Sequence, residues 1–419
     1  MENRAKRFLA CWTLVFLALA LLVSAFDITV DPYRAFDMPL MKGFNARKGA
    51  ASDLEWPYKA YEVQRIAPRT VLLGSSRVAL GMDTQSAAWP KEYRPVYNLG
   101  LPAAGPYVWF RYLQHLMAVR VPETVIVGLD FEYFLDVIES RHSAFGKFES
   151  RLSVKSDGTL NMSADRQHVL DLLQFSLSYD ALSDSVSTVI GNVQGVTKDT
   201  ILGNESDAEE LRVRADTGTF PWMQWINVID VRRLVGGRNQ FAMVDIQDLL
   251  YLCKSHGTHV ILYIHPMPAD MLEMIDMMGY WPMFEGWKRE LLSMVSAYDR
   301  QGGRATLWDF SDYDTYSTDT PRQDGRVLPW FWESWHYRKA LGDLVVGRIV
   351  GQSELPFGIF LLPDRLEGHL TQIRERQREY RASHPADVAR LKAVHDAALR
   401  VLSSPAMAAR YALSVPSEQ

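Results

Sequence analysis

Five short apolar runs decide what this chain can become. Thr70 to Leu73, Val96 to Leu99, Thr124 to Leu129, His259 to Ile264 and Thr306 to Phe310 are each too short for an ordinary helix and nearly continuous in apolar character. That is how strands buried on both faces of a parallel sheet read. Helical patterns separate most of them. Pro106 to Val119 carries Trp109, Tyr112, Leu113, Leu116 and Met117 three and four apart, and Asp245 to Ser255 repeats the spacing with Ile246, Leu249, Leu250 and Cys253. Gly257 follows where a helix would need a C-cap, directly before the fourth run. The alternation predicts an α/β fold with a doubly wound, five-stranded parallel sheet, whose ligands lie beyond the carboxyl ends of the strands.

The third and fourth runs stand about 130 residues apart, far more than a crossover requires. An insertion is expected at about 140–238. It contains a helical candidate from Asp165 to Val189, a polar stretch from Gly191 to Glu210 and the aromatic Phe220-Pro221-Trp222-Met223-Gln224-Trp225. It reads either as an extra packing layer or as a cleft wall. With 419 residues the chain has room for residues 1–27 as an anchor, 28–64 as a surface connector, 65–350 as the α/β domain and 351–419 as a helical tail. The tail interleaves Arg374, Arg376, Arg378 and Arg381 with Glu375 and Glu379, then turns amphipathic from Asp387 to Leu402. Packing on the domain, a partner and a membrane face are all compatible with that pattern.

At the start, Arg4, Lys6 and Arg7 precede an apolar stretch from Phe8 to Phe26. About 19 helical residues rise roughly 28 Å, close to the hydrocarbon thickness of a bilayer. Positive charge before the stretch, with Asp27 and Asp31 after it, places the N-terminus in the cytoplasm and the body outside, a single pass through the cell inner membrane. A retained anchor, a signal cleaved near Val23-Ser24-Ala25 and a buried helix of a soluble protein are the three readings. The formal charge of -5, with no long basic stretch in the body, excludes a nucleic-acid footprint. Neither of the two cysteines, Cys11 and Cys253, sits in metal-ligand spacing, and no metal or cofactor is expected.

Chemistry enters at two places. Gly74-Ser75-Ser76-Arg77 follows the first run, and Trp332-Glu333-Ser334-Trp335-His336-Tyr337 sets an acid three residues before a histidine. A hydroxyl becomes nucleophilic when an imidazole takes its proton, and the imidazole needs a carboxylate to fix its tautomer and steady its charged form. Asn98-Leu99-Gly100-Leu101-Pro102-Ala103-Ala104-Gly105 runs a strand into a glycine-bearing turn that can aim backbone amides at an oxyanion.

In this order the segments resemble the SGNH or GDSL hydrolase superfamily, especially its membrane-anchored exported members linked to bacterial polysaccharide O-acylation. The resemblance covers scattered blocks of residues 65–350. It implies an SGNH-like, flavodoxin-like sheet, with Ser76 as nucleophile, His336 as general base and Glu333 as its carboxylate. It assigns the oxyanion hole to the backbone of Ser76 with Gly105, or secondarily Gly100. Three positions depart from the family pattern: Ser75 replaces an aspartate in the nucleophile turn, Glu333 replaces an aspartate before the histidine, and Asp130 stands where the family supplies an asparagine amide. An ionised aspartate only accepts hydrogen bonds, so Asp130 is read as a structural or substrate-contacting carboxylate. Arg77 is expected either to hold an anionic group or, by a small margin, to pair with Asp83, and His265, at a strand end, either to face the cleft or to serve a structural role there.

The resulting expectation is a serine esterase or O-acyltransferase. Its substrate would be an acylated carbohydrate, and its partners the inner membrane and polysaccharide biosynthesis proteins. The rival is a non-catalytic scaffold or binding protein of a polysaccharide assembly or export complex.

Overall fold

The computed structural model describes residues 2–135, 146–195, 240–319, 329–332 and 335–402. Along the chain come α1 (Glu2–Val30), α2 (Glu55–Ile66), β1 (Thr70–Gly74), α3 (Ser76–Gly81), β2 (Val96–Gly100), α4 (Pro106–Met117) and β3 (Thr124–Leu129). The short α5 (Gly146–Glu149), α6 (Ala164–Leu177), α7 (Tyr179–Gln194), α8 (Gln240–Ser255) and β4 (His259–Ile264) follow. The chain continues with α9 (Ala269–Met277), α10 (Trp281–Arg300), β5 (Ala305–Asp309), α11 (Lys339–Ile349), β6 (Ile359–Phe360), α12 (Leu366–Ser383) and α13 (Pro385–Leu402). Two compact units form, one from Met1–Ile66 with Phe145–Ser206, the other from Ala67–Ala144 with Asp207–Gln419.

The second unit holds an α/β sheet of six strands in the order β2-β1-β3-β4-β5-β6. The expected five-stranded parallel sheet is thus corrected to a mixed one: the first five strands pair in parallel, and β6 adds antiparallel to β5. Two residues are too few to leave a period in the sequence, so this strand was hidden in what read as tail. Strand order reverses at β1, and in open α/β sheets ligands bind where the order reverses. The register aligns Gly74 with Gly100, Leu129 with Ile264 and Ile264 with Asp309, so these strands end along a common edge. Ser75, Asp130 and His265 are the residues that follow β1, β3 and β4 over that edge.

One face of the sheet packs Leu72, Ile126 and Ile261 against Val78 of α3 and Leu341 and Val345 of α11, all at most 1% exposed. Burying such side chains contributes about 1.5–3 kcal/mol each. The arginine-rich tail docks on the second unit: Arg374 bonds Glu285, Arg376 pairs with Asp312, Arg381 reaches Glu273 and Asp276, and Arg390 of α13 meets Asp270.

In the first unit the predicted helix from Asp165 to Val189 is two helices, α6 and α7, because Ser178 turns the chain and caps α7 by accepting the Ala181 amide. Both pack against α1. The connector at 28–64 is not the surface tether its polarity suggested. Asp31, Asn45 and Lys48 are buried, with Lys48 Nζ donating to the Val30 and Asp31 carbonyls at 2.9 and 2.8 Å. Its polar side chains satisfy backbone groups inside the unit, which sequence polarity cannot distinguish from solvation. The expected aromatic stretch at 220–225, and all of the polar stretch beyond Gly195, lie outside the described residues.

Candidate active site

The turn from β1 into α3 depends on glycine at 74. A Cβ there would lie 2.2 Å from Val78 Cγ2, and the φ of +157° suits no other residue well. Ser75 caps α3, its Oγ accepting the Arg77 amide at 3.2 Å. Ser76 becomes the first helical residue, half-buried at the sheet edge, and its Oγ lies 2.8 Å from His336 Nε2.

His336 arrives on a short antiparallel turn. Trp332 N–H donates to the His336 carbonyl at 2.8 Å, Arg338 N–H to the Trp330 carbonyl at 2.7 Å, and Phe331 bridges Tyr337. Both neighbours of the histidine are tied down. Arg77 Nε donates to the Trp335 carbonyl at 3.0 Å, and the guanidinium stacks 4.5 Å from the Trp335 ring centroid. The Tyr337 hydroxyl lies 3.2 Å from both Tyr263 Oη and His265 Nδ1. Asp130 joins the two anchors, with Oδ1 2.9 Å from Arg77 Nη1 and Oδ2 3.7 Å from His265 Nε2. Glu132 stands behind, 3.7 Å from Arg77 Nη2. Gly128 makes room for this cluster, since a Cβ there would sit 2.4 Å from the His265 ring.

Arg77, Asp130 and His265 are all 0% exposed. Burial works against the charged carboxyl of Asp130, but His265 and Arg77 outweigh it and hold the group below its ordinary value. Burial pushes the His265 imidazole down, against the pull of Asp130. Arg77 carries a permanent charge, so Asp130 stays ionised when His265 is neutral. An ionised Asp130 can only accept, so it favours the His265 tautomer with the proton on Nε2, in which Nδ1 is free to accept from the Tyr337 hydroxyl. Burial also raises the Tyr337 and Tyr263 phenols, keeping them neutral donors.

Two sequence expectations change here. The acid against Arg77 is Asp130, with Glu132 next to it, and not the Asp83 that sequence proximity favours. Asp83 is close in sequence, but Asp130 comes over the neighbouring strand end to meet the guanidinium. Gly100, the second choice for an oxyanion donor, gives its amide to Asn98 Oδ1 at 2.9 Å in the interior. Asn98 also donates to the carbonyls of Val78 and Met82, tying β2 to α3. Gly105 caps the start of α4, and its amide and that of Ser76 are taken up by no hydrogen bond among the described residues. Glu333, the proposed partner of the other His336 nitrogen, lies outside the described residues.

Sequence reasoning gave no role to Glu132, Tyr263, Trp335 or Tyr337. The last two flank His336 directly, and adjacency was the available signal. The arrangement offers a hydroxyl and an imidazole at proton-transfer distance, with the Ser76 amide on the same turn, a pairing that can activate the hydroxyl for attack on a carbonyl carbon. No protein-family model matches the sequence, and no curated protein matches it.

Proposed function

We propose that this chain is an exported, membrane-anchored serine esterase or O-acyltransferase with an SGNH-like sheet, acting on acyl esters of a cell-surface or exported polysaccharide. The observation that carries the reading is the 2.8 Å contact between Ser76 Oγ and His336 Nε2, two residues 260 positions apart. Ser76 Oγ attacks the ester carbonyl as His336 Nε2 takes its proton. The tetrahedral oxyanion is stabilised by the Ser76 and Gly105 amides. Collapse breaks the ester C–O bond, His336 returns the proton to the departing alcohol, and an acyl group remains on Ser76. Water as acceptor releases an acid; a sugar hydroxyl receives the acyl group instead. Glu333 would hold the far nitrogen of His336. The basic Arg4, Lys6 and Arg7 in the first turns of α1, ahead of its apolar stretch, support an inner-membrane anchor with the body on the periplasmic side.

A second reading, a non-catalytic scaffold in a polysaccharide assembly complex, draws on Asp130. The position where the resemblance expects an amide donor holds a carboxylate locked against Arg77.

The deciding measurement is hydrolysis of a small acetyl ester, and transfer to an oligosaccharide, by wild type and by Ser76→Ala, His336→Ala and their combination. Each single change should lower turnover about 10³–10⁶-fold with unchanged circular dichroism, and the pair should add almost nothing, because the two act as one unit. Glu333→Gln should be milder, since an amide still orients the ring. A wild type inactive in both assays and unlabelled by a serine-reactive phosphonate would give the scaffold reading.

A further inference from the structure

α1 has two parts. Its 29 residues rise about 43 Å, roughly 13 Å more than a bilayer's hydrocarbon. Phe8, Trp12, Phe16, Leu21 and Leu22 are more than half exposed, whereas Asp27 and Val30 in the last turns are fully buried. The elements packed around this exit are held to it by specific contacts. Asn45 Nδ2 donates to the Thr29 and Pro39 carbonyls at 3.1 and 3.2 Å and pins the loop carrying Leu40 and Met41. Tyr33, just past the helix, donates to Asp184 of α7 at 2.6 Å, and its ring lies tilted with its centroid 4.9 Å from that of Phe175 of α6.

The α6–α7 pair is inverted relative to a hairpin built for water. Its buried positions include Asp171, Ser176, Ser185 and Thr188, with Asp171 accepting from Tyr61 at 2.5 Å and paired with Arg151. Its outward stripes are apolar. Leu170, Leu173 and Leu177 on α6 are 48%, 51% and 51% exposed, and Val186, Ile190 and Val193 on α7 are 43%, 49% and 71% exposed. Spacings of three and four put each set on one side of its helix. Leu40 and Met41, 51% and 45% exposed, add to the same surroundings of the exit. Gln174, Ser183 and Ser187 interrupt the stripes, which suits the headgroup boundary better than the bilayer centre.

From this geometry we infer that α6, α7 and the Leu40–Met41 loop form a collar seated in the membrane interface around the exit of α1, with their apolar stripes against lipid acyl chains. Lipid is the occupant because the stripes belong to elements that pack on the very turns where the spanning helix ends. The first unit is then a membrane-bound platform and not a flexible tether. The inference rests on the part of the proposed function that puts α1 in a bilayer; it is independent of the ester chemistry.

The test uses the full chain with Cys11→Ser, leaving Cys253 buried, and one added cysteine at Leu17, Leu173 or Ile190 carrying a polarity-sensitive fluorophore. Each protein is reconstituted in phosphatidylcholine vesicles with or without bromine on the acyl chains. The expected result is loss of most of the emission at all three positions in brominated lipid, with a blue-shifted spectrum. Quenching at Leu17 alone, with Leu173 and Ile190 open to aqueous iodide, overturns the collar while the anchor stands. No quenching at any position overturns the anchor as well. Labels at Leu173 and Ile190 that escape both quenchers, with disulfide crosslinking between copies through the unlabelled cysteines, assign the stripes to a second copy and also overturn the proposal.

Discussion

Asp130 and Asp309 occupy comparable places, one just past β3 and one at the end of β5, and both are buried to within 1% of full exclusion. Their surroundings differ in kind. Asp309 is saturated. Oδ1 accepts from the Ser311 amide and hydroxyl at 2.9 and 2.5 Å, while Oδ2 meets Lys288 Nζ at 2.7 Å and His369 Nε2 at 3.0 Å. Asp130 is held chiefly by charge, with Arg77 Nη1 at 2.9 Å and His265 Nε2 at 3.7 Å. The saturated carboxylate joins α10 and α12 to the sheet and sits among scaffold elements. The other joins the two side chains that grip Trp335 and Tyr337, the residues on either side of His336. A buried carboxylate that ties helices to the sheet fixes architecture; one that ties both anchors of the segment around His336 would set where that imidazole stands.

The largest effect should follow from Asp309→Ala. Lys288, 0% exposed, would lose its counter-charge, and breaking one side of a buried pair costs about 3–5 kcal/mol. Urea denaturation in detergent measures it. Burial opposes the Asp309 charge, but Lys288 and His369 hold the carboxyl well below its ordinary value. Because that value is depressed in the fold, its stabilisation is present above about pH 4 and fades as the pH falls further toward the native value. The gap between wild type and variant should therefore close in acid. A cost under about 1 kcal/mol at neutral pH would remove the contrast with Asp130.

Asp130→Asn should do the opposite in kind: a smaller loss of stability, because Glu132 still stands 3.7 Å from Arg77 as a counter-charge and the amide keeps the shape, but a fall in kcat of about 10–100-fold with KM little altered, as small displacements of His336 cost that much. The sign is informative. Asparagine restores the residue that the resembled family uses as an oxyanion donor, so a rise in turnover would mean that position 130 faces the substrate and not the Arg77 anchor. Asp130→Glu, which keeps the charge, should recover part of the loss. Equal losses of stability for Asp130→Asn and Asp309→Ala would make both carboxylates architectural.

What could be read in advance follows the same division. Apolar runs report strands because burial on two faces excludes polar residues, and the predicted Thr124 to Leu129 and His259 to Ile264 coincide with β3 and β4. Block order brought Ser76 and His336 together because each follows a recognisable kind of segment. Pairings among buried charges were not legible: Arg77 with Asp130, Lys48 with Asp31 and Lys288 with Asp309 join residues between 17 and 53 positions apart, and no local period marks such partners. Nor did sequence reveal that α6 turns Leu170, Leu173 and Leu177 outward, since an amphipathic stripe has the same spacing whichever medium it faces.

Asp270 tests the intermediate case and carries the smallest effect. It opens α9, is 0% exposed and meets Arg390 of α13 at 2.8 Å, with Tyr380 Oη at 3.5 Å. Here burial outweighs the cation and pushes the carboxyl up to about 6. The sign is the reverse of Asp309. The native state binds this proton more tightly than the unfolded chain, so its contribution is full below about pH 4 and is lost as the pH rises through about 6. Between pH 4.5 and 7.5 that amounts to about 2 kcal/mol, a difference that Asp270→Asn should erase because an amide has no proton to exchange. Urea denaturation of both proteins at the two pH values reads the difference directly, with all other titrating groups common to both. If the two proteins change by the same amount, Arg390 holds Asp270 as firmly as Lys288 and His369 hold Asp309, and one cation suffices to lock a buried carboxylate in this fold.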